Sequence, residues 1–307
     1  MICCLDEVLE QAIRFGPFRV AIAGAADEAA LSAIALAHAK GLARGLAFGS
    51  RAQVEAILSS IGADASCLES IEDESDDQVC CRLAVEAVRS GAADLLLKGK
   101  VKTATLLRAV LDADTGLRTG RLLSDVFVFE NPRREPNHLQ MITDGGVTIR
   151  PDLEQKVQII QNAVEVAQAL GNPQPKVALL SAVETVTPAI PSTQEAAILA
   201  QMWRRGQIRG CILDGPLALD NAVSAEAAKI KGIDSPVAGD ADILVCPDIE
   251  SANMLAKSTT YFAGFRLAHV IVGARAPVLI PSRSDTADAK LMSVALGSLV
   301  LARQRGL

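Results

Sequence analysis

Residues 282–288 read Ser-Arg-Ser-Asp-Thr-Ala-Asp, between the apolar run "PVLIP" and an apolar helical stretch. Ser282 brings a hydroxyl, Arg283 a guanidinium, and Asp285 and Asp288 two carboxylates. Together they offer a hydrogen-bond donor, a fixed cation and two candidate bases. The same residues also suit plain capping, because Ser and Asp accept hydrogen bonds from the first free N–H groups of a helix. On this segment alone, both readings stand.

A second cluster follows another apolar run. In "LLLKGKVKTATLLRAV", Lys98, Gly99 and Lys100 end a strand-like stretch, and Lys102 and Thr103 precede a helical pattern that contains Arg108. Cations and a glycine at a helix N-terminus suit an anion. The spacing is not that of a P-loop, and a solvated basic turn fits these residues equally well. Further on, "GLRTGRLLSDVFVFE" places Arg118, Arg121 and Ser124 at the start of an apolar strand, either as anion ligands or as ordinary loop residues. Asp214, Asp240, Asp242 and Asp248 offer oxygen ligands, but Gly or Pro flanks three of them at strand ends, which favours turns and caps over a metal. His38, His138 and His269 are dispersed without metal-ligand spacing, so no zinc site is expected. Neither a G-x-S-x-G elbow nor a G-x-G-x-x-G fingerprint occurs.

The elements that must position these residues alternate regularly. Short apolar runs such as "FRVAIAGA", "ADLLLKG", "KVALLSA", "ADILVCP" and "HVIVGA" are separated by helical patterns, which predicts mostly parallel sheets. In "PDLEQKVQIIQNAVEVAQALG", Pro151 and Asp152 start a helix and Gly171 stops it. A chain of 307 residues exceeds what one core usually supports, so two α/β domains are expected, with a ligand in the cleft between them. The first is expected to span residues 1–145 with a returning C-terminal helix, 285–307, and the second residues 146–284.

Composition narrows the function. A net charge of -6, with no Lys/Arg-rich block, argues against a nucleic-acid partner. Seven cysteines without C-x-x-C spacing point to a reduced, cytoplasmic protein. The N-terminal "MICCLDEVLEQAIRF" carries acids early, unlike a secretion signal. Apolar stretches are shorter than the roughly 18 residues of a membrane span, so no membrane association is expected. A homo-oligomer, dimer or higher, is expected.

Taken in order, "LLKGKVKTATLLRAVL", "GLRTGRLLSD", "MITDGGVTIRPDLEQKVQIIQNAV", "LSAVETV", "DGPLALDNAVS", "SPVAGDADILVCPDIESANMLAK" and "SRSD" closely resemble the phosphate acetyltransferase/phosphate butyryltransferase family, from about residue 75 to the end, and the butyryltransferase branch more than the other. The resemblance implies two α/β/α domains on a scaffold like that of isocitrate and isopropylmalate dehydrogenases. It implies the reaction acyl-CoA + phosphate = acyl phosphate + CoA, by direct transfer in a ternary complex, with coenzyme A as substrate, no cofactor and no metal. Arg108 takes the position of the family's phosphate-binding arginine, with Lys98, Lys100, Thr103, Arg118, Arg121 and Ser124 as further substrate contacts. Ser282 would hydrogen-bond the thiolate and Arg283 hold oxyanions. The base would be Asp285 or Asp288; the Ser-Arg-x-Asp form favours Asp285, which leaves the other acid to cap the helix. Two alternatives are an acyl-carrier-protein-dependent acyl phosphate synthase, and a catalytically weak paralogue that binds acyl-CoA or acyl phosphate.

Overall fold

The structure, a computed structural model, describes residues 1–132, 139–282 and 284–307, so His138 and Arg283 lie outside the described residues. The chain begins α1 (Leu5–Ile13), β1 (Phe18–Ala23), α2 (Glu28–Ala39), β2 (Ala43–Gly49), α3 (Arg51–Ser60), β3 (Leu68–Asp73), α4 (Asp77–Arg89), β4 (Leu95–Lys98) and α5 (Thr103–Val110). It continues with β5 (Ser124–Glu130), β6 (Leu139–Thr143), α6 (Leu153–Ala169), β7 (Lys176–Leu180), α7 (Pro191–Arg204), β8 (Ile212–Leu217), α8 (Leu219–Val223), α9 (Ala225–Ile230), β9 (Ile243–Val245) and α10 (Ile249–Tyr261). It ends with β10 (Leu267–Val272), β11 (Val278–Leu279) and α11 (Ala287–Gln304).

Two compact units emerge: Leu5–Arg121 with Ala268–Leu307, and Met1–Cys4 with Leu122–Leu267. In the first, strands lie in the order β3-β2-β1-β4-β11-β10, all parallel except β10 against β11. In the second the order is β5-β6-β9-β7-β8, parallel except β5 against β6. The α/β class and the mostly parallel sheets agree with the sequence.

The unit boundaries differ from those expected, which were 145/146 and 284/285. Met141 pairs with Ile243, so β6 carries β5 into the second unit. Val278 pairs with Leu96, so the β10–β11 hairpin belongs to the first. Alternation of strands and helices does not reveal which strands pair, and pairing decides the boundary.

Local signals work as physics requires. Every residue of β4 is buried, as a strand in the middle of a covered parallel sheet must be. α6 starts with a capping box between Asp152 and Gln155, and Gly171 follows its end at φ +84°. In α11, Lys290 through Ala302 are buried without interruption, which fits a helix enclosed on all sides. No helix among the described residues is long and apolar enough to cross a membrane.

Candidate functional site

Parallel register gathers three loops at one edge of the first unit. Ala23 at the end of β1 pairs with Lys98 at the end of β4, and Leu279 in β11 pairs with Leu97. Gly24–Asp27, Lys98–Lys100 and Ser282–Asp285 therefore leave the sheet together, at the carboxyl ends where α/β proteins bind ligands. The first two loops touch closely: the Gly99 N–H donates to Ala23 O at 2.9 Å and the Lys100 N–H to Gly24 O at 2.7 Å. A Cβ on Gly99 would collide with the Gly24 carbonyl oxygen, so this approach requires glycine.

Lys98 is only 4% exposed, and its ammonium donates to Gly99 O at 3.1 Å and Val101 O at 3.4 Å. It shapes the turn from within. Lys100 and Thr103 are exposed on that turn, and no side chain caps α5. An uncapped helix start beside surface cations is what an oxyanion needs.

The loop after β11 is held by its own acid. Asp285 Oδ2 accepts from the Ser282 N–H at 2.7 Å, and the Asp285 N–H donates to Ser282 O at 3.1 Å. Ser282 Oγ lies 3.0 Å from Ser284 Oγ. His269 Nε2 stands 3.7 Å from Asp285 Oδ2, with the imidazole 6% and the carboxylate 20% exposed. The cap of α11 is neither acid but Thr286, whose Oγ1 accepts from the Ala289 N–H at 3.2 Å. That corrects the expectation that one acid caps: Asp288 is exposed in the first turn, and Asp285 sits ahead of the helix. The start of α11 is also tied to the β1 loop, since Lys290, 2% exposed, pairs with Asp27 at 3.0 Å. Asp27 in turn caps α2.

Burial pushes the neighbouring Cys81 thiol up to about 12, despite the opposing charges of Lys98 and Arg82. Cys81 thus stays protonated near neutral pH and offers no thiolate to carry an acyl group. Among the described residues no cluster of His, Cys, Asp or Glu could hold a metal ion.

The remaining predicted residues lie outside these three loops. Arg108 is exposed on α5, lining a groove of about 180 Å³ with Gln78, Arg82, Thr105 and Thr115. Arg118 and Arg121 are exposed in the loop after α5. Thr119 Oγ1 donates to Gly273 O at 2.6 Å and the Arg275 N–H to Leu117 O at 2.9 Å, tying that loop to the turn of the β10–β11 hairpin. This turn is the opposite end of the hairpin from Ser282. Ser124 is fully buried, and its hydroxyl accepts from Asn162 at 2.8 Å.

Sequence reasoning missed His269 and Lys290. The pairing of Ile271 with Val278 puts His269 across from Ile280, beside the loop. Had "HVIVGA" and "PVLIP" been read as a hairpin around Gly273, the histidine would have stood out. Lys290 was visible as the charge heading the uncharged stretch Leu291–Ala302.

Known proteins give a consistent picture. The phosphate acetyl/butaryl transferase family profile matches residues 78–297. A phosphate butyryltransferase of Clostridium beijerinckii is 44% identical over 300 residues, 98% of each chain. A phosphate acetyltransferase of Thermotoga maritima is 43% identical, covering 96% of this chain and 99% of its own. The crystal structure of a branched-chain phosphotransacylase from Enterococcus faecalis superposes with a TM-score of 0.82 at 33% identity, covering 92% of this chain and 99% of its own. Butyryl-named relatives are 42–47% identical and acetyl-named ones reach 43%, so the two ranges overlap.

Proposed function

Because the chain belongs to the phosphate acetyl/butaryl transferase family, we propose that it transfers a short-chain acyl group directly between coenzyme A and inorganic phosphate, with Asp285 as the base. The observation that carries this reading is the meeting of the Ser282–Asp285 loop with the Lys98–Lys100 turn at adjacent strand ends. In the direction that makes acyl-CoA, Asp285 takes the thiol proton of CoA, whose pKa of about 8.5 leaves it mostly protonated at neutral pH. The sulfur attacks the acyl carbonyl carbon, the C–O bond to phosphate breaks, and the proton leaves with hydrogen phosphate. Ser282 hydrogen-bonds the developing thiolate, and Arg283 serves the oxyanions.

Lys100, Thr103 and the uncapped start of α5 hold the phosphoryl oxygens, with Arg108 reaching them from its second turn. Buried Lys98 supports the turn rather than touching substrate. No cofactor is needed, because the reaction moves an acyl group and one proton. The protein acts in the cytoplasm as a homo-oligomer.

The test is phosphate-dependent release of CoA from acetyl-, propionyl-, butyryl- and isobutyryl-CoA. Overlapping use of neighbouring chains is expected, since one methylene changes discrimination by only about 1–3 kcal/mol. Binding of acyl-CoA without turnover would replace this reading with that of a weak binding paralogue. Strict dependence on an acyl carrier protein would replace it with the synthase.

A further inference from the structure

We propose that His269 is a positioning residue for the transfer: it holds the carboxylate of Asp285 in the orientation and charge state that accepts the thiol proton. This rests on the reading of Asp285 as base. Three observations converge on the pair. The imidazole is 6% exposed, and its Nε2 points at Asp285 Oδ2 across 3.7 Å. The backbone under it is fixed, because the His269 N–H donates to Ser293 Oγ at 3.1 Å, and that hydroxyl donates to Ala289 O at 2.9 Å in α11. One carboxylate oxygen, Oδ2, is thus addressed by both the Ser282 N–H at 2.7 Å and the ring at 3.7 Å.

The physical role follows from what Asp285 must do. A base on a loop can rotate about its side-chain torsions, and each wrong rotamer takes the oxygen away from the sulfur. The Ser282 N–H and the ring converge on Oδ2; the ring, on a strand rather than a loop, adds a second anchor that keeps this oxygen from swinging away and favours the ionised form. Among the described residues, the charged groups at the start of α11 are Lys290, which pairs with Asp27 at 3.0 Å, and Asp288, which is exposed in the first turn.

The experiment compares His269→Leu, His269→Gln and Asp285→Asn in the CoA-consuming direction, with full pH–rate profiles and circular dichroism. Gln places an N–H donor near the position of Nε2, whereas Leu keeps bulk alone. His269→Leu is expected to lower kcat by about 10- to 100-fold, the scale of a misplaced reacting group, with KM for CoA and acyl phosphate nearly unchanged. Its acid limb is expected to move to higher pH, because the carboxylate loses a group that favours its charged form, and His269→Gln should recover most of both. Wild-type kcat and acid limb in His269→Leu would overturn the inference, as would equal slowing of both variants with an unmoved limb, which is the mark of mere packing. Normal turnover by Asp285→Asn is a different failure: it removes Asp285 as base, whatever His269 does.

Discussion

The loop that follows β11 and the arginine-bearing segment from α5 to Arg121 belong to the same unit, and they are built in opposite ways. Around the first, Lys98, His269 and Lys290 are all buried, and Asp285 is fastened to the backbone. Along the second, Arg108, Arg118 and Arg121 are exposed, and the backbone between them is tied to the far turn of the β10–β11 hairpin. A proton acceptor must be held to within a fraction of an ångström, so its surroundings are packed. An anion that arrives from water can be met by long exposed guanidiniums. On the proposed mechanism, the contrast separates the chemistry from the capture of substrate.

The largest effect should come from the packed side. Asp285→Asn is expected to slow turnover by about 10²- to 10⁴-fold, with an unchanged melting temperature, because Thr286 and not Asp285 caps α11. Asp288→Asn, on the exposed first turn, should be close to normal in the same assay. A slow Asp288→Asn with a normal Asp285→Asn would move the base by one helical turn.

Arg108→Ala comes next. Loss of about 10²- to 10³-fold is expected, concentrated in the use of phosphate, with acyl-CoA binding and stability retained. If Arg108→Ala instead lowers the melting temperature, the exposed side is structural and the comparison collapses.

Lys290→Met tests the converse, that the packed side carries stability. It breaks the buried pair with Asp27, whose side chain is 16% exposed, at an expected cost of about 3–5 kcal/mol in denaturant unfolding. Adding Asp27→Asn should recover much of this loss, since Asn still caps α2. The smallest effect is expected from Arg118→Ala and Arg121→Ala, each within about fivefold in kcat/KM, as for exposed charges generally. A loss as large as that of Arg108→Ala would bring the loop back into the site.

What the sequence disclosed follows the same division. The α/β class, the helix from Leu153 to Ala169 and the family were readable because periodicity, caps and ordered motifs are local signals. Strand pairing is not local, and it sets both the unit boundary and the neighbours of the reactive loop. Of the two surprises, His269 reaches the reactive loop through a hairpin register, and Lys290 ties the start of α11 to the β1 loop from a helix face. The burial of Ser124 was hidden for a related reason: a hydroxyl at a strand start looks the same in sequence whether it faces solvent or Asn162. Capping of α11 was attributed to an acid because Asp and Ser lead the preferences, yet the adjacent Thr286 had the right spacing to Ala289.

The claim on which the account turns is that one carboxylate in the β11 loop accepts the thiol proton. The most direct measurement is the pH dependence of kcat/KM for butyryl phosphate plus CoA in wild type, Asp285→Asn and Asp288→Asn. The account predicts an acid limb in wild type that persists in Asp288→Asn and vanishes in Asp285→Asn, whose residual rate should rise only with the ionisation of CoA itself. An acid limb that survives unchanged in Asp285→Asn would show that the proton goes elsewhere, and would contradict the mechanism.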